Sequence, residues 1–117
     1  MTRLQRAEPE MIRIREHLHA HPEISFHEHD TAAYLQAWYQ QLGLHTQAFG
    51  DGYGFAVDID SGKPGKKLAL RADFDALAVQ EAGTLPFKSQ NPGVMHACGH
   101  DGHTAYLMVL ARELNAT

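Results

Sequence analysis

Between Pro9 and Ala20 the apolar positions Met11, Ile12, Ile14 and Leu18 recur near the helical period, and His21-Pro22 closes the run. The spacing predicts an amphipathic helix over 9–20. The stretch "EHDTAAYLQAWYQQLG" repeats the pattern, with Ala32, Leu35, Trp38, Tyr39 and Leu42 on one face, Asp30 as the N-cap and Gly43 as the C′ stop. The period then shortens. "HTQAF", "YGFAVDID" and "KKLALRAD" read as three short strands, separated by "GDG" and "SGKPGK", with the first two placed to pair as a hairpin. Residues 76–97 carry Gly83, Pro86, Pro92 and Gly93 with little periodicity, which predicts a long loop of the kind that often carries function. "DGHTAYLMVLARELNAT" then sets Ala105, Leu107, Met108, Ala111 and Leu114 along a final helix that begins at or just after a histidine-rich stretch.

This order of helices and strands argues for an α/β layered fold, and 117 residues without repeat or linker for a single domain over 1–117. Ten basic against fourteen acidic side chains give a net charge of −4, with no basic stripe to follow phosphates, so nucleic acid is not an expected partner. No apolar run approaches a membrane span and the start lacks the apolar core of a signal peptide, so the expected address is the cytoplasm, without a membrane partner. The lone Cys98 cannot form an internal disulfide, which leaves a free thiol, a buried apolar residue or a ligand.

The candidate chemistry gathers in "MHACGHDGH", residues 95–103. In extended backbone residues two apart share a face, so His96, Cys98 and His100 can point one way, with Gly99 leaving space beside them. A thiolate with imidazoles suits zinc and other borderline transition metals better than magnesium or calcium. Asp73 and Asp75 in "RADFDAL" obey the same two-residue rule at the end of a predicted strand, where open α/β sheets place their sites. Plainer readings stand beside these: Asp73 pairing with Arg71, Asp75 capping a turn, His103 packing on the first helical turn. A Cys98–His100 nucleophile–base dyad ranks below metal binding, because an i+2 partner has poor freedom to serve both sulfur and leaving group. The second histidine group, "HLHAHPEISFHEH", is read mainly as solvated side chains at His17, His19, His21, His27 and His29.

The segments "REHLHAHPEISFHEHDTAAYL", "YGFAVDI" and "LALRADFDALAVQEAGTLPFKSQNPGVMHACGHDGHTA" resemble, in order and spacing, the N-terminal part of the M20 group of metal-dependent amidohydrolases. The nearest branch holds hippurate hydrolases, auxin-conjugate hydrolases and N-acetyldiaminopimelate deacetylases. The resemblance implies part of a three-layer α/β/α zinc-peptidase-like catalytic domain without its lid domain. It also implies two divalent ions (zinc, manganese or cobalt) in the complete enzyme, with Cys98 and His100 among the ligands and Asp73, then Asp75, as the catalytic carboxylates. Arg71 stands where related branches carry a metal-binding histidine, as suits this branch, and Ala78 replaces a frequent proline. The substrate implied is an N-acyl amino acid or a related small amide, and the complete enzyme a homodimer. The family's Glu-Glu pair, further histidine ligands and lid are not in these 117 residues. The chain is therefore expected to be inactive by itself; a non-catalytic product that binds metal weakly or joins another chain is the alternative.

Overall fold

The structure, a computed structural model, describes residues 1–50 and 52–116. A short helix α1 (Arg3–Arg6), not expected from the apolar pattern, opens the chain with a Thr2–Gln5 capping box and is pinned to the other end of the chain by Arg3–Glu113 at 2.9 Å. Helix α2 (Glu8–Ala20) follows with Pro9 in its first turn, where a missing N–H costs nothing. It ends at His21, before a fully buried Pro22.

Helix α3 (His29–Gln41) matches the second amphipathic run, and Gly43 adopts φ +81° just beyond its end, the left-handed stop that glycine supplies. Its start differs from the expectation that Asp30 caps it. Glu28 is the N-cap, and the carboxylate of Glu23 accepts the free N–H groups of Asp30 (3.2 Å) and Thr31 (2.6 Å). A carboxylate reaching back from the preceding loop does what a local side chain was expected to do.

Strands β1 (Thr46–Ala48) and β2 (Phe55–Val57) pair antiparallel, Thr46 opposite Val57 and Ala48 opposite Phe55, as the hairpin reading required. The third expected strand does not form: "KKLALRAD" runs without a ladder, with Leu68 85 % and Leu70 52 % exposed. A strand is defined by its partner, and none of the described residues lies along this segment to accept its hydrogen bonds. The chain beyond it is held by two isolated bridges, Ile24 parallel to Ala76 and Leu77 antiparallel to Met95. Helix α4 (His100–Asn115) begins within the histidine-rich stretch, as expected.

One core joins the three long helices. Ile14 and Leu18 of α2, Leu35 and Tyr39 of α3, and Ala105, Met108 and Val109 of α4 are buried together with Ala7, and Phe55, Val57 and Phe74 pack against them. The i, i+3 and i+4 spacings within each helix put these side chains on one stripe. This packing fixes the N-terminal end of α4, and with it the residues of interest.

Candidate metal centre

Gly99 is the hinge of the site. It caps α4 at φ +119°, a conformation that side chains rarely adopt, and turns the chain from the loop into the helix. Cys98 and His100 are thereby set on either side of a sharp turn, with the thiol exposed and the imidazole half-buried. The turn also removes the extended geometry that was expected to align His96 with them. His96 is buried, and neither ring nitrogen has a hydrogen-bond partner. Burial, the larger influence, pushes its pKa down to about 4 against the opposing pull of the Asp101 carboxylate.

His100 is braced by Asp75. Its Nδ1 lies 2.9 Å from Asp75 Oδ1 and 3.0 Å from the Asp75 carbonyl oxygen. Both oxygens only accept, so in the neutral ring Nδ1 carries the proton and Nε2 is the nitrogen left with a lone pair. The Ser25 hydroxyl donates to Asp75 Oδ2 at 2.5 Å and, with His100 beside it, holds this carboxyl below the usual carboxylate range despite some burial. Asp73 is arranged differently. Its carboxylate takes a 2.8 Å bond from the exposed Arg71, and its backbone oxygen accepts from Thr104 Oγ1 of α4 at 2.8 Å. Among the described residues no group of three or more His, Cys, Asp and Glu side chains is arranged to hold a metal ion.

Behind the turn lies a buried charged network. His19 sits between Asp101 (Nδ1 to Oδ2, 2.8 Å) and Glu81 (Nε2 to both oxygens, 3.1 Å). Arg15 reaches Asp101 at 3.0 Å and lies over the Phe87 ring at 5.1 Å. Carboxylates on both sides of an imidazole are satisfied when both ring nitrogens donate. The Ser89 N–H leads the influences that hold Glu81 low, ahead of His19 and against burial. For Asp101 burial favours the neutral acid, yet the bonds from His19 and the Gly102 N–H, with Arg15 nearby, keep its carboxyl lowered.

The reading of His19 as solvated is thus corrected, since it is 2 % exposed. On α2, His19 lies four residues from Arg15 and shares its side, whereas His17 and His21 form another pair four apart. Those two stack with each other (4.5 Å), and His17 with Tyr34 (4.0 Å). They line a cavity of about 370 Å³ whose walls include none of Asp73, Asp75, Cys98 or His100. The helical offset could have separated His19 from its neighbours in the sequence. Nothing local pointed to Ser25 or Glu81, whose partners lie 50 and 62 residues away.

Residues 69–117 match the model of peptidase family M20/M25/M40. The chain is 46 % identical over 103 residues to an N-acyl-L-amino acid amidohydrolase of Geobacillus stearothermophilus, covering 88 % of this chain and 28 % of that protein. An N-acetyl-L-cysteine deacetylase of Bacillus subtilis is 41 % identical over 105 residues, covering 90 % and 25 %. The crystal structure of the Bacillus subtilis YXEP protein, a dinuclear metal-binding peptidase of the M20 family, superposes with a TM-score of 0.88 at 37 % identity over 96 % of this chain and 32 % of that one. The chain spans less than a third of the length of these proteins. In its sequence and in its α/β fold, the chain is similar to the N-terminal portion of amidohydrolases of peptidase family M20/M25/M40.

Proposed function

We propose that this chain supplies the first two ligands, Cys98 and His100, of a divalent metal centre that hydrolyses the amide bond of N-acyl amino acids or related small amides. The observation that carries the reading is the His100–Asp75 pair, which leaves Nε2 free one residue from the Gly99 turn and two from an exposed thiol. The donor set fits zinc or cobalt, and manganese less well because of the thiolate. When bound, such an ion supplies Lewis acidity toward an amide carbonyl. The chain's own groups prepare for it: Asp75 fixes the His100 tautomer and Gly99 sets the two ligands around one turn, while Asp73, the other candidate carboxylate, is tied to α4 through its backbone and pairs with Arg71. The names of the relatives support an acylated amino acid as substrate. A cytoplasmic address and a homodimeric complete enzyme belong to the same reading; no helix among the described residues is long and apolar enough to cross a membrane.

Two ligands make a weak site, so calorimetric titration with zinc or cobalt should give affinity well below that of a closed four-ligand site, falling further in acid as imidazole and thiolate take protons. Cys98→Ser should abolish the cobalt–thiolate charge-transfer band, and His100→Ala should weaken binding. Metal binding unchanged by both substitutions would overturn the assignment. The chain alone should not turn over N-acetyl or N-benzoyl amino acids above a metal-only blank.

A further inference from the structure

We propose that Ser25 is a positioning residue for His100, acting through Asp75. The inference rests on the metal-centre reading above only for its consequence, since the positioning itself is a property of the metal-free chain. Ser25 lies in the turn 24–27, closed by the His27 N–H on the Ile24 carbonyl at 3.0 Å. Phe26 in that turn has φ +68°, while its side chain is 87 % exposed. A bulky residue in left-handed backbone with no burial in return marks a turn whose shape is imposed by its surroundings. Those surroundings are visible: the Ala76 N–H bonds the Glu23 carbonyl at 2.8 Å, and Ile24 bridges Ala76 in parallel. This register brings Ser25 Oγ onto Asp75 Oδ2 while Asp75 Oδ1 holds His100 Nδ1.

With one carboxylate oxygen anchored by the serine, rotation of the carboxylate plane is restricted, and the other oxygen stays aimed at the imidazole. Without that anchor the terminal torsion of an aspartate is broad, and Oδ1 leaves the Nδ1 direction more often, so that the neutral Asp75 carbonyl oxygen alone holds the Nδ1–H form. The order of the chain, hydroxyl to carboxylate to imidazole, separates it from a serine nucleophile, whose hydroxyl would meet the imidazole. Ser25 is exposed, so it adds little to the core, and its removal spares the fold.

The test compares Ser25→Ala, Ser25→Thr and Ser25→Val in the full chain. Long-range proton–nitrogen correlation spectra of the metal-free imidazoles, at about pH 8 where ordinary histidines are neutral, report the His100 tautomer, assigned with His100→Gln. Wild type and Ser25→Thr should show the Nδ1–H form, and Ser25→Ala and Ser25→Val a mixture with Nε2–H. Cobalt titration should then show about tenfold weaker binding for the Ala and Val variants, the low end for groups that orient metal ligands. Ala and Val variants with the wild-type tautomer overturn the proposal, as does a Thr variant that behaves like Val. A tautomer change in a chain whose cobalt binding ignores Cys98 and His100 supports the positioning role and overturns the metal-centre reading instead.

Discussion

The five histidines of residues 17–29 and the three of residues 96–103 are similar in density, yet the backbone distributes them by different rules. In the first segment the helical period of α2 separates neighbours: His17 and His21 stack beside Tyr34 at the surface, while His19 enters the interior between Asp101 and Glu81. In the second, a left-handed glycine breaks the chain direction, so His96 is buried without a partner and His100 is turned toward Asp75. The segments then meet, because His19 of the first binds the residue that follows His100 in the second. A histidine's role here depends on which backbone carries it and which carboxylate reaches it, rather than on how many histidines stand nearby.

The sharpest way to break this comparison is to remove the one histidine that joins the segments. His19→Leu leaves buried carboxylates without their shared donor and should destabilise the chain by about 3–5 kcal/mol, whereas His27→Ala at an exposed position should stay within about 0.5 kcal/mol. Urea unfolding followed by circular dichroism measures both. Equal effects would mean that the buried network carries no more than a surface histidine does.

His96 offers the next largest effect, through pH. Its folded pKa of about 4 lies below the ordinary histidine value of 6.5, so below pH 6.5 the unfolded chain takes up a proton that the folded chain refuses. The stability that depends on a neutral His96 is complete above that range, declines as pH falls from 6.5 toward 4, and is lost below it. The full decline is on the order of 3 kcal/mol. Melting the metal-free chain at pH 7 and pH 5 should show the fall, and His96→Leu should flatten it while costing little at pH 7, since it removes two unpartnered nitrogens. An unchanged slope in the variant would assign the pH dependence to other groups. The lowered carboxyl of Asp101 acts in the same direction but at a lower pH, as it becomes protonated.

Gly99→Ala probes the turn that distinguishes the second segment. At φ +119° the added methyl meets no hard clash, only the His103 ring at 3.6 Å, so the cost is backbone strain of roughly 1–3 kcal/mol. Weaker cobalt binding should accompany it, as the Cys98–His100 geometry relaxes. The smallest effect is expected at the strained turn of the first segment. Phe26→Gly relieves left-handed strain but loosens the unfolded chain, and should be neutral to about 1 kcal/mol stabilising. A clear loss of stability in the denaturation midpoint would show that the exposed phenyl ring has a packing role.

The amphipathic helices, the hairpin and the start of the last helix inside "CGHDGH" were legible because each rests on local periodicity and on turn residues that act within a few positions. "KKLALRAD" reads as a strand by the same criteria and fails to become one among the described residues, since its alternation names a preference and only a neighbouring strand can satisfy it. The candidate ligand pair, Cys98 and His100, rests on spacing and resemblance. The identity of the bracing carboxylate was not legible: Asp73 and Asp75 are equivalent by the two-residue rule, yet Asp75 meets His100 while the Asp73 carboxylate faces Arg71. The sequence by itself determined helix faces, turn positions and the chemical types available for a metal centre, all of which are set within one or two turns of chain. Tertiary structure alone decided that Glu23 caps α3, that Glu81 and Asp101 enclose His19, and that Ser25 and His100 share Asp75. Long-range pairings of polar groups leave no periodic trace in the chain, and they form only after the packing of α2 against α4 has brought distant segments within hydrogen-bond reach.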